Sequence, residues 1–206
     1  MAEMTGIAER LAVFDTATLH ECGAHATMDT GMHKLSGAKR LAGPALTVMC
    51  PPANNYMIHE AVARAEGQTV LVVQCHDANY GAWGEVLTVA AQSRGIAGLV
   101  LDGSVRDLSA IQALDFPLFA RGTCLRGTGK APEGSVGETI SCGGTPVRTG
   151  DLIVADESGI VVIPPADAEL ILEKAGERTR KESWMMSELR GGRTTMELLG
   201  LRGERR

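Results

Sequence analysis

A chain of 206 residues is one domain, or one domain with short appendages. Apolar residues (44%) and charged residues (22%) stand at ordinary globular levels, but aromatics are only 3% against 25 glycines, so the core must be built from Val, Leu, Ile and Ala between tight turns. A formal net charge of −5 argues against a general nucleic-acid binder, no apolar run approaches the roughly 20 residues that cross a bilayer, and residues 1–14 lack the basic-then-apolar pattern of a secretory signal.

In chain order, Thr5 is placed to cap a first helix with Ile7, Leu11 and Phe14 on one face, and a second short helix starts near Asp15 or Thr16. Residues 45–50 read as a β run closed by Pro51-Pro52. Asn54 or Asn55 then caps a helix through Glu66, with Ile58, Val62 and Ala65 facing inward. Residues 69–74 are a strand, a glycine loop over 81–84 leads into a helix over 85–94, and 98–101 form a short buried strand. An Asp102-Gly103 turn follows, then a short helix over 108–114. From there the character changes: 117–120 are strand-like, and the chain to 163 reads as β-structure with glycine turns. The clearest piece is a hairpin, with 152–155 and 160–163 flanking Asp156-Glu157-Ser158-Gly159. Residues 167–190 form a long charged helix stopped by Gly191-Gly192; Thr194 caps a last turn, and 203–206 fray. The expected fold class is α/β in a single domain, with βα units in the first half, a β-rich second half and a C-terminal helix.

Two clusters sit where strands give way to helices. The first is Gly81-Ala82-Trp83-Gly84-Glu85; the second is Asp102-Gly103-Ser104-Val105-Arg106-Asp107, and twenty residues separate Glu85 from Arg106. Together they offer two carboxylates for a hard cation, an arginine for an anion, and a helix start with free N–H groups. Each also has a plain structural reading: Glu85 suits the helix dipole, Asp107 is an N-cap, and Arg106 pairs with Asp102 across the turn. Loops after parallel strands are where small-ligand sites collect, which favours function for the two clusters taken together.

The remaining polar residues narrow the chemistry. Lys34, Lys39, Lys130, Lys174 and Lys181 fall in polar loops or on the terminal helix, not in the apolar setting an imine-forming lysine needs. Carbanion chemistry here therefore calls for a metal as electron sink. His20, His25 and His33 show no i, i+4 pairing for zinc; His59, on the helix after Asn54-Asn55, reads either as a hydrogen-bonded structural residue, the favoured reading, or as a substrate contact; His76-Asp77 lie in the loop after a strand. The basic glycine-rich run over 121–130 is either a solvated turn or a seat for a second carboxylate. Cys22, Cys50, Cys75, Cys124 and Cys142 contain no C-x-x-C pair; Cys50 and Cys75 end apolar runs as buried thiols, and a reducing, cytoplasmic setting fits. There is no G-x-S-x-G, no phosphate-binding loop and no G-x-G-x-x-G.

Three stretches make the chain resemble the RraA-like family, which includes class II 4-hydroxy-4-methyl-2-oxoglutarate / 4-carboxy-4-hydroxy-2-oxoadipate aldolases and regulators of ribonuclease E activity. They are the acidic-X20-Arg-Asp spacing of Glu85, Arg106 and Asp107, the Asp102-Gly103-x-x-Arg106-Asp107 segment, and residues 150–156 with 159–164. Asn55-x-x-x-His59 is similar to a further family element. The resemblance implies a β/β/α swivelling-type domain assembled as a homotrimer or a dimer of trimers, with the C-terminal helix, about 165–200, packed on a neighbouring subunit. It implies that Asp107 binds a divalent cation, Mg²⁺ or Mn²⁺, that Glu85 orients metal-bound water, and that Arg106 contacts a keto-acid. It further implies that the N–H groups of Gly84, Glu85, Val86 and Leu87 hold the substrate carboxylate, with Asn55 and His59 beside it, and that Glu177 or Glu182 reaches a neighbour's metal. The implied reaction is retro-aldol release of pyruvate, with oxaloacetate decarboxylation alongside; the rival is a regulator that binds ribonuclease E without catalysis. A methyltransferase reading fails for want of a glycine-rich adenosine-binding unit near the N-terminus.

Overall fold

The computed structural model describes residues 2–37, 40–75 and 77–201; Lys39, His76 and residues 203–206, singled out above, lie outside them. The elements are α1 (Ala2–Leu11), α2 (Thr16–Glu21), β1 (Ala26–Thr27), β2 (His33–Ser36), β3 (Leu41–Met49), α3 (Tyr56–Arg64), β4 (Val70–Gln74), β5 (Gly81–Trp83), α4 (Glu85–Ser93), β6 (Gly98–Val105), α5 (Leu108–Ala113) and β7 (Leu118–Thr123). Then follow β8 (Ser135–Val136), β9 (Ile140–Cys142), β10 (Thr145–Val147), β11 (Leu152–Asp156), β12 (Gly159–Ile163), α6 (Ala168–Arg190) and α7 (Thr195–Leu198).

Ten strands make one mixed sheet in the order β1-β12-β11-β3-β4-β6-β7-β2, with β5 beside β6 and β8 beside β3. The centre, β3-β4-β6-β7, is parallel, while β11, β12 and β1 run antiparallel to their neighbours. Parallel strands need crossovers, and α3, α4 and α5 supply them. The apolar run Val70-Leu71-Val72-Val73 is buried on both faces, as a central parallel strand must be. Leu71 and Val73 pack with Ile58, Leu87 and Ile111 under the crossover helices, whereas Val70 and Val72 face Ile153, Ile160 and Val162 of the antiparallel layer. The outer face of β11 and β12, through Leu152, Val154, Val161 and Ile163, is covered by α1, α2 and the first turns of α6. This layering is the β/β/α arrangement expected from the sequence.

Several local expectations change. Thr5 lies inside α1, which already begins at Ala2, so it is not the N-cap of that helix. Residues 81–83 are strand rather than loop, because Gly81 and Trp83 pair with Ser104 and Val105. The expected Asp102-Gly103 turn is also strand: β6 runs on to Val105 because β5 and β7 flank it and take its backbone hydrogen bonds. Lys34 is in β2 rather than a loop, paired with Glu157 at 2.6 Å. The hairpin, the long helix and the Thr194 cap stand where expected, the last as a reciprocal capping box with Glu197.

Candidate active site

The N-caps of α3, α4 and α5, which are Asn55, Gly84 and Asp107, line a single cavity of about 230 Å³. The sheet brings them together because β3, β5 and β6 all deliver the chain to the same edge. His59, Val86, Leu87 and Arg106 complete one side; Gly127, Thr128 and Lys130 form the other. That far wall is clipped down by backbone bonds: Gly81 N–H to the Arg126 carbonyl (2.7 Å), Asn55 N–H to Gly129 (3.2 Å) and Gly129 N–H to Ala53 (2.7 Å). The basic glycine-rich run thus contributes Lys130, but not Arg121. Arg121 is bound to both carboxylate oxygens of Asp29 (2.9 and 2.8 Å) and to Asp102, and these contacts raise its pKa above the ordinary arginine value. Asp102 is therefore not the partner of Arg106.

Asp107 occupies the N-cap position of α5 in a left-handed conformation (φ 57°, ψ 34°) and makes no side-chain bond to its own helix. Such a conformation costs about 1–3 kcal/mol in a non-glycine residue and is retained where the surroundings demand it. Here it turns the carboxylate towards α4: Oδ2 accepts the Glu85 N–H (3.3 Å) and stands 3.5 Å from Arg106 Nε. The Asp107 side chain keeps 42% of its surface and Arg106 49%. Asp107 therefore caps the neighbouring helix, and its approach requires Gly84, where a Cβ would stand 2.5 Å from Oδ2. The start of α4 is braced from beneath, as Trp83 Nε1 donates to Thr88 Oγ1 (2.7 Å), which in turn donates to the Gly84 carbonyl (3.1 Å). Trp83 is also stacked on Phe116.

The cavity favours anions. Two nine-residue helices, α3 and α4, start at it, Arg106 and Lys130 face it, and Asp107 is the one carboxylate among its described lining residues. No acceptor among the described residues takes the N–H of Val86 or Leu87, while that of Glu85 is spent on Asp107. The Glu85 side chain is exposed and does not line the cavity. Asn55 donates through Nδ2 to the Ala82 carbonyl (2.9 Å), but its Oδ1 and the Nε2 of His59 are buried without a partner among the described residues. Burial, reinforced by the Lys130 ammonium, holds the His59 imidazole below its ordinary value, so it is neutral near pH 7. Lys130 is exposed and lacks the apolar surroundings of an imine-forming lysine.

No group of three or more His, Cys, Asp or Glu that could hold a metal exists among the described residues, so a dehydrated zinc-type centre does not fit. A single exposed carboxylate beside open space suits a largely hydrated, hard dication of the Mg²⁺ kind. A larger depression, about 650 Å³, lies between α1 and α6, but its Arg10 and Glu169 neutralise each other at 2.6 Å. The candidate site residues gather instead at the smaller cavity. Among the described residues no helix is long and apolar enough to cross a membrane.

Comparison with known proteins identifies the fold and the family. A relative from Halalkalibacterium halodurans, provisionally named as a 4-hydroxy-4-methyl-2-oxoglutarate aldolase, is 39% identical over 66% of this chain; the match spans 65% of that relative's own length. An uncharacterised Pseudomonas syringae protein of known structure shares the fold with a TM-score of 0.84 at 23% identity, covering 95% of this chain and 93% of its own. Streptomyces coelicolor RraAS2, described as an unusual member of the RNase ES inhibitor RraA protein family, aligns with a TM-score of 0.78 at 27% identity, over 88% of this chain and 96% of its own. The profile of one family, RraA-like (Aldolase/RraA), matches residues 10–162, and the chain belongs to that family.

Proposed function

We propose that this protein cleaves 4-hydroxy-4-methyl-2-oxoglutarate-type 2-keto acids to pyruvate in a retro-aldol reaction that depends on Mg²⁺ or Mn²⁺, and that it decarboxylates oxaloacetate as a side activity. The observation that carries this reading is the Asp107 carboxylate, turned out of its own helix and set beside Arg106 at the mouth of an anion-attracting cavity. Asp107 would tether the dication, which when bound draws electron density from the 2-keto oxygen and so makes room for the electron pair of the breaking carbon–carbon bond. Arg106 and the free N–H groups of Val86 and Leu87 would grip and orient the 2-keto-carboxylate. Asn55 Oδ1, an acceptor, and neutral His59 Nε2 suit a substrate hydroxyl, and Lys130 a distal carboxylate. The aldolase name of the Halalkalibacterium relative supports the same substrate class.

The decisive measurement is pyruvate release from 4-hydroxy-4-methyl-2-oxoglutarate and from oxaloacetate, with Mg²⁺ or Mn²⁺ and again with EDTA. Activity should require the metal, and Asp107→Ala should lose about 10³-fold in kcat/KM, the scale of removing a charge-stabilising group from a transition state. A second reading, ribonuclease E binding by surface contact, is favoured by the likeness to the RNase ES inhibitor family member. It takes over if wild type and Asp107→Ala are equally inactive with metal present.

We further propose a homotrimer or dimer of trimers in the cytoplasm. Trp184 and Met186, on the distal half of α6, keep 50% and 47% of their surface, an apolar patch suited to a neighbouring copy. All five cysteines are free thiols, which supports a reducing compartment.

A further inference from the structure

We propose that Cys50 and Cys75 are a redox pair that closes into a reversible disulfide when the protein meets hydrogen peroxide. The two residues end adjacent parallel strands in register. The β3–β4 ladder pairs Met49 with Gln74 as its last rung, the Cys50 N–H then bonds to the Gln74 carbonyl (2.9 Å), and the same register carried one step further sets Cys50 opposite Cys75. Neighbouring strands lie about 4.8 Å apart, inside the Cα separation of roughly 4.4–6.8 Å that a disulfide tolerates. Both side chains point to the same face, into the layer with Val48, Leu71 and Val73, and each thiol perturbs the ionisation of the other.

The partners are not equivalent. The Cys75 thiol, and to a lesser degree the backbone dipoles at Ile58 and Met57 in the first turn of α3, favour the thiolate of Cys50. These neighbours pull the Cys50 thiol below its ordinary value, whereas the thiols of Cys22, Cys75 and Cys142 are pushed up. Cys50 is therefore the attacking group and Cys75 the resolving one. The Cys50 thiolate attacks one peroxide oxygen, the O–O bond breaks, and a sulfenic acid and hydroxide result. The Cys75 sulfur then displaces the sulfenic oxygen, S–S forms, and the Cys75 proton leaves with that oxygen as water. Two thiols lose two electrons and peroxide becomes two waters; a thiol reductant reverses the change. Both sulfurs are buried, so the oxidant enters through opening of the strand ends, and the reaction is slow. Drawing the Cys50 sulfur onto Cys75 takes it from the first turn of α3, the helix that carries Asn55 and His59 into the cavity.

Treating the full chain with hydrogen peroxide, alkylating it in denaturant and mapping its peptides tests this without reference to any catalytic reading. The expected result is a Cys50–Cys75 cross-linked peptide two hydrogens lighter than the free pair, restored by dithiothreitol, with faster amide exchange over residues 56–64 in the oxidised form. Cys75→Ala should leave Cys50 as a sulfenic acid that dimedone traps. If Cys50 and Cys75 both stay fully alkylatable while the half-exposed Cys124 oxidises, or if Cys50 bonds to Cys142 instead, the pair is not a redox device. A cross-link with unchanged exchange in α3 overturns the connection to the cavity. The wild-type peptide map decides the matter even where the variant does not fold.

Discussion

Two glycines 3 residues apart separate the needs of the cavity from those of the fold. A Cβ on Gly84 would meet Asp107 Oδ2 at 2.5 Å, Arg106 Cγ at 3.2 Å and Arg106 Nε at 3.3 Å, all atoms of partly exposed side chains that can swing away. A Cβ on Gly81 would meet the backbone carbonyl of Cys124 at 2.4 Å, and that cannot move without β5 or the following loop. Gly84→Ala should therefore fold with a melting temperature close to wild type yet lose about 10²-fold in kcat/KM for pyruvate release, the scale of a displaced catalytic group. Gly81→Ala should instead lower the melting temperature. Equal effects of the two on stability would show that Gly84 serves the strand–helix junction and not the carboxylate. The left-handed backbone of Asp107 accompanies the same contact: its side chain reaches the start of α4 rather than that of its own α5.

At the scale of elements, the hairpin of β11 and β12 holds more than itself. Asp156, at its turn, is buried and accepts the Thr16 N–H (2.9 Å), the Thr16 hydroxyl (2.7 Å) and the Ser158 N–H (2.9 Å), so it fixes both the turn and the first residue of α2. Burial works to raise its pKa, but the bonds from Thr16 and Ser158, with Arg40 nearby, outweigh it and hold the carboxyl below its ordinary 3.8. A carboxyl depressed on folding contributes stability that is present above 3.8 and is lost as pH falls through the folded value. Asp156→Ala should cost about 3 kcal/mol in chemical denaturation near pH 7, through charged hydrogen bonds lost and a buried N–H left bare. Its deficit against wild type should shrink under acid; a deficit independent of pH would mean that packing, not charge, is at work. This hairpin was legible because Asp156-Glu157-Ser158-Gly159 and its apolar flanks are local signals. So were α6, stopped by Gly191-Gly192, and the Thr194–Glu197 box. The strands at 81–83 and 102–105 were not, because glycines and an Asp-Gly pair signal turns, and only lateral pairing with β6 and β7, set by distant sequence, makes them strands. The cavity divides the same way. Arg106, Asp107 and the α4 start could be read from two strand–helix junctions, whereas Lys130 arrives through backbone clips from the 126–131 segment, and Arg121 is consumed by Asp29, ninety-two residues away.

At the scale of the whole molecule, α6 is two helices in one. Ala168, Ile171, Leu172 and Ala175 bury its first turns against β11 and β12, and Arg178 pairs with Glu21 of α2, but Trp184 and Met186 further on belong to none of the buried clusters. A 23-residue helix with an exposed tryptophan halfway along its free half is marginal as a solitary projection and sensible as a strut against another subunit. Two acidic residues implied as donors to a neighbour's metal lie on this helix, and they are not equally free. Glu182 is paired with Arg178 at 2.8 Å within its own chain, whereas Glu177 is exposed and in no ion pair among the described residues, so Glu177 is the stronger candidate. If each cavity combines Asp107 of one subunit with Glu177 of the next, Asp107→Ala and Glu177→Ala chains are each inactive alone. Unfolded together and refolded as a mixture, they should regain activity at roughly a quarter of the sites, the fraction that random assortment in a cyclic trimer leaves with both groups intact. Trp184→Lys should abolish that recovery and shift the mass measured by light scattering from three or six chains towards one, without loss of the monomer's fold, since Trp184 belongs to none of the buried clusters. Inactive mixtures at full trimeric mass would place the whole of the chemistry within one chain.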